Sequence, residues 1–232
     1  MTPLPPAHTL HPTPAPDGDG LLLEEGARFA LLQRLVPVLQ HQIMGHFQSM
    51  GMINVMLDRR LQSASPDLEG LRQDCELLGS VSDSTVKSIV SLLAWVRPKP
   101  AARQRLDAGV DECATLLLSE FRLKGFDLVN EVGLLDAEVA SRALRSVLCA
   151  SLFCLGDGSA VQATLTLRAQ QRGGSIELSV ALQPHADPQP RGIHAGDSRL
   201  LNWRDVELLA GAESVGLVHS AAEVRLTFDM AP

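Results

Sequence analysis

The apolar residues in the first hundred positions recur in alternating steps of three and four. From Leu21 to Leu61 they fall at Phe29, Leu32, Val36, Leu39, Ile43, Met50, Ile53 and Leu57, with His46 taking one step of the same series. That is the heptad spacing of an apolar seam along one long helix. The stretch "SASPD" at 63–67 then supplies turn residues and a proline suited to a helix start. A second series, Leu71, Cys75, Leu78, Ser82, Thr85, Ile89, Leu92 and Val96, continues until "RPKP" ends it. Two long helices joined by so short a turn run antiparallel. Such a hairpin leaves a wide apolar face, which pairing with a second copy into a four-helix bundle would bury. Coverage by the rest of the chain is the alternative, and periodicity does not choose between them.

Beyond the prolines the pattern changes. "LDAGVDECATLLLSEFRLKG" reads as a helix ending near Gly125, and "FDLVNEV" as a short strand. "DAEVASRALRSVLCASLFCLG" reads as an amphipathic helix opened by an Asp136 cap and an acidic first turn. "SAVQATLTLRAQ" and "SIELSVALQ" alternate apolar and polar residues about the turn signal "RGG". A loop rich in Pro, Gly, His and Asp follows at 183–198, then a helix near 201–211 and two strands, "ESVGLVH" and "AEVRLTFD". The fold class is therefore α+β: a Pro-rich disordered tail at 1–20, a helical hairpin at 21–100, and a layered α/β domain with a mostly antiparallel sheet at 105–232.

Composition narrows the function. The formal charge of the 232-residue chain is −7 with no basic stripe, which argues against nucleic acid as a partner. Cys75, Cys113, Cys149 and Cys154 lie in apolar surroundings without CxxC spacing and read as reduced residues of a cytoplasmic protein. No apolar run approaches the roughly 20 residues of a membrane span, and no secretion signal opens the chain. In the loop, His185, Asp187 and His194 match no metal-ligand spacing, so no metal is assigned to them.

The chemistry concentrates in "HQIMGHFQSMGMINVML", residues 41–57. With Ile43, His46, Met50 and Ile53 in the seam, His41 falls on the solvent side of the first helix and His46 turns toward the core. An exposed neutral imidazole on a firm helix is a competent nucleophile toward an acyl phosphate. Met44, Gly45, Met52 and Val55 lie off the seam beside His41, an adaptable apolar patch with room for a partner helix. Packing under the second domain is the competing use of the same residues.

The order of elements from residue 24 onward resembles the transmitter core of sensor histidine kinases, a dimerisation and phosphotransfer hairpin followed by an ATP-binding domain of the Bergerat type. That family's phosphoacceptor histidine opens a segment H-E-L-R-x-P-L; here His41 takes the histidine's place, His46 the proline's, and Gln42 replaces the acidic neighbour. The resemblance implies a magnesium-binding asparagine near the end of the domain's long helix, where Cys154 stands, and another at Ala150. Neither residue offers magnesium a hard oxygen. "PHADPQPRGIHAGD" lacks the family's Asp-x-Gly-x-Gly turn, and "GDSRLLNWRDVELLAG" enters its helix without a glycine-rich lid.

With three motifs altered together, the resemblance is closest to dimeric histidine phosphotransfer proteins built like stripped kinases. It implies that His41 accepts a phosphoryl group from one response-regulator receiver and donates it to another. No cofactor belongs to this chain in that case, since magnesium comes with the receiver. A pseudokinase acting as a scaffold, and a divergent ATP-dependent kinase, are the alternatives.

Overall fold

The computed structural model describes residues 18–65, 67–96, 102–187, 189–190 and 199–229, with backbone alone for 91, 92 and 94–96. Residues 1–17 of the expected tail lie outside the described residues, whereas Gly18 already opens a helix. The chain divides into two compact units: residues up to Arg34 group with those that follow Lys99, and Leu35–Pro98 form the other.

The Leu35–Pro98 unit is a helical hairpin made by most of α1 (Gly18–Leu61) and all of α2 (Leu68–Val96). Near its tip, Arg60 Nε lies 3.1 Å from Asp74 Oδ2 and Arg60 Nη1 lies 3.2 Å from Asp67 Oδ2. Asp67 Oδ1 also accepts from the Gly70 amide at 3.1 Å, holding the start of α2. Farther from the tip, Ser88 Oγ stands 3.3 Å from His46 Nε2. The same number of residues separates His46 from Arg60 and Asp74 from Ser88, so the helices run antiparallel without slip.

On α1 the inner row is Leu39, Ile43, His46, Met50, Ile53 and Leu57, as the spacing predicts. On α2, Leu71, Leu78 and Thr85 face inward as the spacing predicts, and the alternate positions of the row are displaced by one residue. Asp74, Val81 and Ser88 are turned inward where Cys75, Ser82 and Ile89 were expected, and those three are exposed. Leu92 and Val96 have no described side chains. A three-and-four step suits two adjacent stripes of a helix equally well, and local partners decide between them. Asp74 meets Arg60 and Ser88 meets His46. The displacement leaves Leu77, Val86, Val90 and Leu93 on the outside of α2. Phe29 and Val36 of the expected α1 seam are also more than half exposed, at 62% and 52%.

The second unit is built on a five-stranded sheet of order β2–β4–β5–β7–β6, from β2 (Phe126–Asn130), β4 (Ala163–Arg172), β5 (Ser175–Pro184), β6 (Gly216–His219) and β7 (Glu223–Asp229). β2 pairs with β4 in parallel and the other neighbours are antiparallel. Strand β5 shows how one face is chosen: Ile176, Leu178, Val180 and Leu182 are buried, while the residues between them are half-buried and mostly polar. Gly173, at φ +60°, makes the tight turn from β4 to β5.

Helices α3 (Leu106–Leu123), α4 (Ser141–Gly158) and α5 (Trp203–Ala212) supply the apolar layer. Phe121 of α3, Phe126 of β2 and Phe153 of α4 meet in an aromatic cluster, with centroids 5.8 Å and 6.0 Å from Phe121. Helix α5 starts on a capping box in which the Asn202 side chain accepts from the Asp205 amide at 3.1 Å and Asp205 Oδ2 accepts from the Asn202 amide at 3.0 Å. Substituting Asn202 by Ala is expected to cost about 1 kcal/mol, readable as a lower urea midpoint at unchanged slope.

The expected beginning of α4 is corrected. Residues Glu138–Ala140 form strand β3, paired antiparallel with β1 (Arg103–Arg105), and α4 starts at Ser141 without a side-chain cap. Ala137 and Val139 are both buried, a period of two that outweighs the cap signal of Asp136. Nor is α4 amphipathic. Every residue from Ser146 to Gly156 is buried, as befits a helix flanked by α3 and α5 over the sheet.

Candidate functional site

Helix α1 carries both histidines, and five residues turn an α-helix by about 140° beyond a full circle. His46 is half-buried with Nε2 beside Ser88 Oγ. Ser88 Oγ also lies 3.0 Å from the Ser84 carbonyl, which can accept the hydroxyl proton. His41 is exposed, on the other side of α1 from this contact.

Met44, Gly45, Met52 and Val55 fall within about 60° of His41 around the helix. All four are exposed, Met52 by 69%. No atom lies within 4 Å of where a Gly45 side chain would begin. The structure therefore brings the four onto one stripe with His41. Sequence reasoning missed Val86, Val90 and Leu93, which give α2 its own exposed apolar stripe. Their steps of four and three carried the signal, which the neighbouring series through Ile89 concealed.

In the α/β unit, Ala150 and Cys154 sit one turn apart on α4, fully buried and 6% exposed. A methyl and a neutral thiol give no hard oxygen for a magnesium ion, so these positions do not fit that metal. Among the described residues, no three His, Cys, Asp or Glu side chains group as metal ligands. His185 Nε2 stands 3.3 Å from Asp127 Oδ2, and His194 lies outside the described residues.

Burial above all, then the charges of Asp157 and Asp205, push the Cys154 thiol up to about 12 against the opposing charge of Arg34. Cys149 is pushed up too, by burial first and by Cys113 second. A thiol held above its ordinary value near 9 stabilises the fold fully below that pH and loses the contribution as pH rises toward 12. The urea midpoint is expected to fall from pH 9 to pH 11. At pH 7.5 a maleimide is expected to label Cys75 rapidly and the buried Cys113, Cys149 and Cys154 only after denaturation. Two rapidly labelled thiols in the native chain would contradict this burial.

No family model matches the chain, and no curated protein matches it in sequence. Solved structures do align with it. Histidine kinase AdeS of Acinetobacter baumannii aligns over 78% of this chain and 96% of its own at 14% identity, with a TM-score of 0.43. The chain is similar to histidine kinase cores. A histidine kinase from Burkholderia phymatum aligns over 84% of this chain and 98% of its own at 16% identity and TM-score 0.41. A bacterial phosphotransferase aligns over 94% of this chain and 99% of its own at 8% identity and TM-score 0.39. No described helix of the chain is long and apolar enough to cross a membrane.

Proposed function

We propose that the chain is a histidine phosphotransfer protein of two-component signalling, with His41 as phosphoacceptor. The opposed placement of the two imidazoles supports this most directly: His41 is open to a partner on α1, whereas His46 is committed to Ser88. A ring nitrogen of His41 attacks the phosphorus of an aspartyl phosphate, an N–P bond forms, and the aspartate carboxylate leaves. The reverse step loads a second receiver. Catalysis of this kind is mainly alignment of an in-line transfer, so one nucleophile and a docking surface suffice. Magnesium is brought by the receiver's acidic pocket.

Met44, Gly45, Met52 and Val55 form the receiver-facing stripe in this reading, and a second copy of the hairpin covers other exposed apolar residues of α1 and α2. Ala150 and Cys154 mark a nucleotide site that no longer works, so ATP does not phosphorylate His41. The test is labelling. The purified chain is incubated with magnesium and radiolabelled ATP, and separately with a labelled phosphorylated receiver. Label from the receiver alone supports the proposal. Label from ATP indicates an autokinase, and label from neither source leaves a pseudokinase scaffold.

A further inference from the structure

Residues 18–34 of α1 group with the α/β unit, and the contacts that hold them there are unlike those of the rest of the helix. Ala27, Ala30 and Leu31 are buried, small or compact residues that let the helix lie close. On the N-terminal side, Arg28 Nη2 is 2.7 Å from both Glu213 Oε1 and Glu24 Oε1. Burial works against the Arg28 charge, but hydrogen bonds to Glu213 and Glu24 outweigh it and hold the guanidinium above its ordinary value. Arg142 of α4 bonds the same Glu213 oxygen, so one carboxylate ties the segment to two elements.

About 9 Å farther along the axis comes the second attachment. Arg34 Nη2 lies 2.8 Å from Asp157 Oδ2 at the end of α4, and its Cζ stands 4.8 Å over the Phe153 ring. Lys124 Nζ, 3.6 Å from the other Asp157 oxygen, completes the charge arrangement. Both side chains of the Arg34–Asp157 pair are about nine-tenths buried, at 9% and 11% exposure. Arg34 Nε has no hydrogen-bond partner there. One carboxylate and one aromatic face therefore hold a planar cation out of water.

We propose that residues 18–34 are a strap that the α/β unit binds as it would a separate helix, seated by Arg34 in the Phe153–Asp157 corner and locked by Glu213. The occupant of this face of α4 is thus the chain's own helix. The strap ends just before Pro37, which has no N–H for the Gln33 carbonyl and so weakens α1 beside the boundary. Released, the strap would uncover a slot shaped for a guanidinium.

Hydrogen exchange on the full chain tests this. In the wild type, amides of residues 26–34 are expected to exchange as slowly as those of α4. Arg34→Glu, which opposes Asp157, is expected to speed them at least tenfold while β4 and β5 stay protected. Combining it with Asp157→Arg is expected to restore most of the protection. Fast exchange of 26–34 in the wild type overturns the proposal, as does an unchanged rate in Arg34→Glu. Joint loss of sheet protection in Arg34→Glu, or no recovery in the charge-reversed pair, also overturns it.

Discussion

Substituting His41 by Gln is expected to abolish label transfer from a phosphorylated receiver, with at least a hundredfold loss and an unchanged oligomeric state. The size follows from the chemistry: the amide keeps the bulk and polarity of the ring but provides no nucleophile, so no N–P bond forms. An exposed residue on a continuous helix is also a site where substitution leaves the fold within about 0.5 kcal/mol. His46→Gln is expected to behave oppositely. Transfer persists within about threefold, while stability falls by about 1 kcal/mol with the lost bond to Ser88. The pair is decisive when read together by phosphotransfer and sedimentation. Transfer surviving in His41→Gln, or vanishing in a well-assembled His46→Gln, would reverse the two assignments.

The second large effect is in the aromatic cluster. Phe121→Ala is expected to destabilise the α/β unit by about 3–5 kcal/mol. Phe121 is 2% exposed, packs on both Phe126 and Phe153, and its ring edge comes within 2.9 Å of where a side chain on Gly156 would begin. Truncation empties the place where α3, α4 and β2 meet. Against a total of about 5–15 kcal/mol for a domain, that is a large share. Urea unfolding followed by circular dichroism measures it, and a loss below about 1 kcal/mol would show that the three rings do not form the core's centre.

Most elements were legible because their signals were local. Gly173, the alternation along β5 and the turn at 63–67 each settle a boundary with residues a few positions apart. Strand β3 was not legible for the opposite reason: its partner, Arg103–Arg105, is distant in sequence, and Asp136 offered a plausible cap nearby. Leu71, Leu78 and Thr85 of the inner row of α2 were read correctly, but Asp74 and Ser88 were passed over for Cys75 and Ile89 because they are polar, and nothing near them names Arg60 and His46 as their partners. The two histidines were separable from spacing alone, since both lie on one helix whose inner row from Leu39 to Leu57 was read correctly. Arg34 was invisible as an anchor, its carboxylate lying far along the chain at Asp157.

The inward row of the hairpin fixes how its two helices stay aligned. Asp74 with Arg60 and Ser88 with His46 provide little adhesion, yet a slip of one helical turn would part Asp74 from Arg60 and leave a buried carboxylate without its cation. Alignment is thus guarded by what a misfit would cost, whereas stickiness resides in the greasy outer stripes. Residues outside can be exchanged for new associations while the two rods keep their original alignment.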